Sequence, residues 1–168
     1  MARIVIKVGD IFSVKIDDNY KRYFQYITND LTQLNSNVIR AFKKAYPINI
    51  NPDVSEIIKD EIEFYAHCIV KLGLKMSIWE RIGNTTEIGN TTDILFRDTN
   101  DYGTKVGEEP IKVSHKWYIW RVNDKEFTRV GKLKGEDRKA YNGIVMNPLG
   151  IKELLKGNKY PINYPDFE

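Results

Sequence analysis

Gly9-Asp10-Ile11-Phe12-Ser13-Val14-Lys15-Ile16-Asp17-Asp18, followed by Tyr20-Lys21-Arg22-Tyr23-Phe24-Gln25-Tyr26-Ile27, is the stretch that decides the fold. Phe12, Val14 and Ile16 share one side of an extended chain, and Ser13, Lys15 and Asp17 share the other. That period of two marks a half-buried antiparallel strand. Asp17-Asp18-Asn19 is turn chemistry, so residues 20–28 read as the returning strand. Upstream, Ile4, Ile6 and Val8 alternate with Arg3, Val5 and Lys7, which predicts a further short strand bent at Gly9.

Working outward, residues 37–46 alternate as a fourth strand, although a helix fits this segment too, and Pro47 ends it either way. Asn51-Pro52-Asp53 with Glu56 signals a helix start, and Val54, Ile57, Ile58, Ile62 and Tyr65 keep helical spacing. The spacing predicts one packed helix over about 53–63, giving way to an apolar strand over 64–72. Lys116-Trp117-Tyr118-Ile119-Trp120-Arg121-Val122 reads as a strong late strand, turning at Asn123-Asp124 to pair with Glu126–Val130. Pro148 to Leu155 predicts a short C-terminal helix closed by Gly157, and the proline-bearing tail over about 158–168 is expected to wrap the surface. The expected fold is therefore α+β, mainly β. It takes the form of a bent antiparallel sheet or a partial SH3-like barrel within a single domain spanning 1–168.

Composition agrees with a folded chain. At 168 residues, 42% hydrophobic and 12% aromatic, it can bury a sizeable core without disulfides. No apolar run approaches the roughly 18 residues needed to cross a bilayer, and the first residues lack a signal peptide's apolar stretch. A lone cysteine, Cys68, precludes an internal disulfide and agrees with a reducing compartment, so a cytoplasmic location is expected. The net charge of +3 is too small to imply nucleic acid by itself. Between Arg129 and Lys159, however, eight basic residues face three acidic ones, a pattern that reads first as a solvated face.

The sequence shows no constellation of catalytic residues. His67 and Cys68 are neighbours on a strand, so they point to opposite faces and cannot act as a nucleophile–base pair. With His115 they make two histidines and one cysteine, which gives no zinc spacing. Asp17-Asp18 falls in a turn, Asp60-Glu61-Glu63 on a wet face, and the glycines form no phosphate loop. No catalytic residue, metal or cofactor is assigned. Gly83-Asn84-Thr85-Thr86-Glu87-Ile88 is repeated at once as Gly89-Asn90-Thr91-Thr92-Asp93-Ile94, and two copies are too few for a solenoid. This tandem reads as a polar loop crossing the end of a sheet.

Two aromatic strips remain. On the late strand, Tyr118 and Trp120 share one face and Trp117 the other; the early strand carries Tyr20 and Arg22. Tyr, Trp and Arg dominate binding hot spots, so Tyr20, Arg22, Tyr118 and Trp120 are the candidate partner contacts. The competing reading is a sheet buried on both sides.

The segment Gly9-Asp10-Ile11-Phe12 with its alternating strand, turn and Tyr-rich return resembles the start of the immunity protein 26 family of bacterial polymorphic toxin systems. Trp79-Glu80-Arg81-Ile82-Gly83 is similar to that family's W-x-x-I-G element, and Leu95-Phe96-Arg97-Asp98 follows in the same order. The resemblance covers roughly residues 8–98. It implies a strand-rich protein that binds and neutralises a cognate toxin without catalysis. The tandem repeat is foreign to the pattern, and the slightly basic charge disfavours mimicry of an acidic nucleic acid. The alternative from another class is a nucleic-acid-binding barrel using the same aromatics with the basic 129–159 segment.

Overall fold

A computed structural model describes residues 2–168 and arranges them as two open β-sheets with short helices packed against the larger one. The first two strands, β1 (Asp10–Lys15) and β2 (Tyr20–Asp30), form the expected hairpin. Its turn is fixed by the Asp17 carboxylate, which accepts the Asn19 and Tyr20 N–H groups at 2.7 Å each. β3 (Ser36–Phe42), β5 (Ile62–Cys68) and the edge strand β6 (Trp79–Asn84) join them. Two-residue strands β4 (Tyr46–Pro47) and β11 (Val145–Met146) complete a seven-stranded sheet ordered β11-β5-β3-β2-β1-β6, with β4 on β2. The second sheet runs β10 (Tyr141–Asn142), β7 (Leu95–Thr99), β8 (Trp117–Arg121), β9 (Thr128–Gly131). The chain is thus mainly β with three helices, and among the described residues its sheets are open; the barrel alternative is not what forms.

The large sheet is buried on both faces, which explains why β2 shows no wet side. On one face, Phe12, Val14, Phe24 and Tyr26 pack under helices α2 (Val70–Lys75) and α3 (Pro148–Leu155). Phe24 stacks on Phe12 at 5.1 Å and meets Trp79 edge-on at 4.8 Å. Truncating so enclosed a ring costs about 3–5 kcal/mol. Trp79 itself lies on Gly73, where a Cβ would come within 2.0 Å of the indole. On the other face, Tyr23, Ile11, Phe42 and Tyr46 receive Ile57 of α1 (Val54–Ile57), while Ile27 and Val38 receive Phe96 and Trp120 from the second sheet. Period two therefore persists along β2, with both sets of side chains inside.

Three expectations need correction. The 53–63 helix is a single turn, because Ile62 is drawn into β5, where it pairs with Phe42. The strand expected to reach residue 72 stops at Cys68, and α2 begins two residues later. Residues 3–8 form no strand; Ile6 packs on the main core while Val5 and Val8 stay exposed. The C-terminal helix, in contrast, spans Pro148–Leu155 as read, with the Asn147 side chain accepting the Gly150 N–H at 2.7 Å. Beyond it, Tyr160 packs against Gly150 and the Tyr164 hydroxyl donates to Asp98 at 2.8 Å.

Candidate partner-binding surface

The centre of this region is a carboxylate the sequence does not advertise. Asp30, at the end of β2, is 0% exposed. Its Oδ2 accepts His67 Nε2–H from β5 and Trp120 Nε1–H from β8, both at 2.8 Å. Its Oδ1 accepts the Asn123 N–H at 2.9 Å and the Thr32 N–H at 3.0 Å. A carboxylate only accepts, so His67 carries its proton on Nε2, and its Nδ1 is left without a partner. Although burial opposes ionisation, the donors from His67, Asn123 and Trp120 win, holding the Asp30 carboxyl down at about 2. The cluster joins both sheets, with the His67 ring 4.2 Å from Phe96.

Above this hub the β2–β3 loop lies against the β8–β9 turn. Leu31 N–H donates to Asn123 Oδ1 at 2.8 Å, and the Thr32 hydroxyl donates to the Asp124 carbonyl. The Ser36 N–H closes a turn onto the Gln33 carbonyl at 3.1 Å, with Leu34 and Asn35 both at positive φ, 58° and 52°. Such a turn selects Asn and Gly, and leucine there costs about 1–2 kcal/mol. Beside it, Phe127 is 36% exposed and packs on Tyr118 at 4.8 Å and on Trp120 at 4.7 Å. Burial and the neighbouring Asp98 carboxylate push the Tyr118 hydroxyl well above the ordinary phenol range, so it is a neutral hydrogen-bonding group.

The four contact candidates separate. Tyr20 stands exposed at the start of β2 and Tyr118 is half-buried at the surface. Arg22 and Trp120, also expected as contacts, are instead interior, their side chains engaged within the fold. Arg22 donates to the Phe42 carbonyl at 3.2 Å and the Leu155 carbonyl at 2.9 Å and pairs with Glu63, tying β3, β5 and α3 together. Trp120 is 1% exposed and Trp117 equally so, which makes β8 a strand buried on both sides.

Nothing in this region sets up acid–base or nucleophilic chemistry. Cys68 is wholly buried on the face away from His67, and burial pushes its thiol far up, leaving it inert. Among the described residues no three His, Cys, Asp or Glu side chains converge as metal ligands, and no helix is long and apolar enough to cross a membrane. A cleft near the tail, about 540 Å³, is lined by Tyr65, Tyr141, Tyr160, Tyr164 and Arg97. In the basic segment, Arg138 pairs with Glu168, Lys139 with Glu136, and Lys156 with Glu153, as on a solvated face.

The fold is strand-rich, with a buried polar hub joining its two sheets and aromatic groups at its surface. The sequence profile of immunity protein 26 matches residues 7–105 of 168, spanning β1 to β7, and the chain belongs to that family. The match extends slightly beyond the segment read from the Gly9-Asp10-Ile11-Phe12 and Trp79 motifs and supports a toxin-neutralising immunity function. No curated protein and no solved structure matches the chain. Sequence reasoning missed Asp30, Leu31 and Leu34, since an aspartate before a turn carries no local mark of burial.

Proposed function

We propose that this chain is a non-catalytic inhibitor that neutralises one cognate bacterial toxin by binding it directly in the cytoplasm. It acts as a single domain of 168 residues, its 158–168 tail folded against the surface. The observation that carries the reading is the family match across residues 7–105, which contain most of the large sheet and the β2–β3 loop. Tyr20 and Tyr118 are the contact candidates that reach the surface. Neither a metal nor a cofactor is part of this reading.

The test is a pull-down of the tagged chain from its native host, followed by co-expression of the captured protein with and without it. One stoichiometric partner that kills cells alone and spares them with this chain supports the reading. Capture of nucleic acid, or a partner whose toxicity is unaffected, overturns it.

A further inference from the structure

The β2–β3 loop, Leu31-Thr32-Gln33-Leu34-Asn35, combines three properties that folding alone does not require. It is fixed from several sides: Asn123 and Asp124 hold its first residues, and Gln33 Nε2 donates to the Gly143 carbonyl at 2.7 Å. Leu31 is 72% exposed and Leu34 83% exposed, high values for large hydrophobic side chains. And Leu34 sits at φ 58°, in a turn position where Asn or Gly would be strain-free. A turn that served only to reverse the chain would carry a polar residue there.

We infer that Leu31 and Leu34 form a preorganised apolar knob that inserts into an apolar pocket on the toxin this chain neutralises. The inference rests on the toxin-binding reading above and names the surface that does the binding. A protein pocket is the occupant that fits. The knob is convex and residues 31–36 carry no charge, so neither a nucleic acid nor an anionic bilayer finds cations to meet. The hydrogen bonds from the loop to Asn123, Asp124 and Gly143 fix its shape before association, which reduces the entropy lost on binding. Asn123 and Asp124, which hold the loop, supply a polar rim, and on the same β8–β9 connection Phe127 packs on Tyr118.

The test uses the full chain with a photo-crosslinking residue at position 34 or, in a parallel preparation, at position 20, together with Leu34→Asn and Leu31→Ser variants. Leu34→Asn is the discriminating change, because asparagine suits the positive φ. The expected result is a crosslink from position 34 to the neutralised toxin, and about ten- to thirty-fold weaker toxin binding by Leu34→Asn with a raised melting temperature. Leu31→Ser weakens binding in the same direction without the thermal gain. A crosslink from position 20 but not 34, with the variants binding normally, overturns the knob and leaves the immunity reading standing. Crosslinks from 34 to lipid or to a second copy of this chain also overturn it. If neither position crosslinks to a toxin that pull-down still recovers, the knob falls and the immunity reading stands; if pull-down recovers no protein that this chain neutralises, both fall.

Discussion

The indole N–H of Trp120 reaches the Asp30 carboxylate at 2.8 Å, joining residues 90 apart in sequence and strands of two different sheets. Asp30 is fully buried, so each of its donors offsets desolvation that nothing else in the interior would relieve. Trp120→Phe keeps most of the ring's packing and removes only this donor. The variant is expected to lose about 1–3 kcal/mol in urea denaturation. An unchanged midpoint would mean that His67 and the backbone donors suffice without Trp120.

The same carboxylate sets an acid limb. Its folded value is held at about 2 by His67, Asn123 and Trp120, below the ordinary 3.8 it regains on unfolding. A depressed carboxyl stabilises the fold above its unfolded value and ceases to do so as pH falls from about 4 towards 2. The contribution lost is on the order of 2 kcal/mol. Asp30→Asn lacks it at every pH, so its stability relative to the parent should recover as the solution is acidified. Parallel stability profiles for the two proteins between pH 6 and about 2 would show that Asp30 is not the group responsible.

Arg22 distinguishes an interior role from a contact role. Its guanidinium serves the Phe42 and Leu155 carbonyls and Glu63, and the residue is 5% exposed. Arg22→Ala strands those acceptors and should lower stability by about 2–3 kcal/mol. Tyr20→Ala, at an exposed position, should change stability by less than about 0.5 kcal/mol. Toxin binding per folded molecule should survive the first substitution and weaken with the second. Calorimetric titration of both variants at a temperature where each is folded makes the comparison, and a selective loss with Arg22→Ala would restore it as a contact.

The β1–β2 hairpin and α3 were legible because their signals are local: alternation, an aspartate turn, Pro148 early and Gly157 late. The helix expected over 53–63 failed because Ile57 and Ile62 satisfy helical spacing, yet Ile62 finds a better partner in Phe42 across the sheet. Helical propensity is a weak prior against such pairing. The two faces of β8 could not be ranked from sequence, since burial of both tryptophans depends on the second sheet lying over the first. Asp30 was invisible for the same reason: His67 lies 37 residues away and Trp120 90. The repeat makes the point within one segment. Asn84 of the first copy ends β6 and donates to Asp10 at 2.9 Å, whereas Asn90 of the second caps its own loop by donating to Asp93 at 2.6 Å. Near-identical local sequence, differing only as Glu87 against Asp93, takes two structures, and only the first copy pairs with β1.

That loop is anchored by a buried cation. Arg40 donates through Nε to Gln25 at 2.8 Å and through Nη2 to the Glu87 carbonyl at 2.9 Å, while Gln25 Nε2 reaches the carbonyls of Gly9 and Glu87 at 3.2 Å. Gly89, at φ 74°, lies so close that a Cβ would stand 2.7 Å from the Arg40 guanidinium. The tandem is therefore held against the large sheet, through Asn84 and Thr85 at β1 and through the Glu87 carbonyl at Arg40 and Gln25. Arg40→Met keeps the apolar stem and removes the anchor. Amide hydrogen exchange over residues 85–92 should accelerate at least about tenfold, with a global loss of about 1–3 kcal/mol. Exchange that stays slow in this segment would assign its order to Ile88 and Ile94 packing against the Phe96–Trp120 cluster instead.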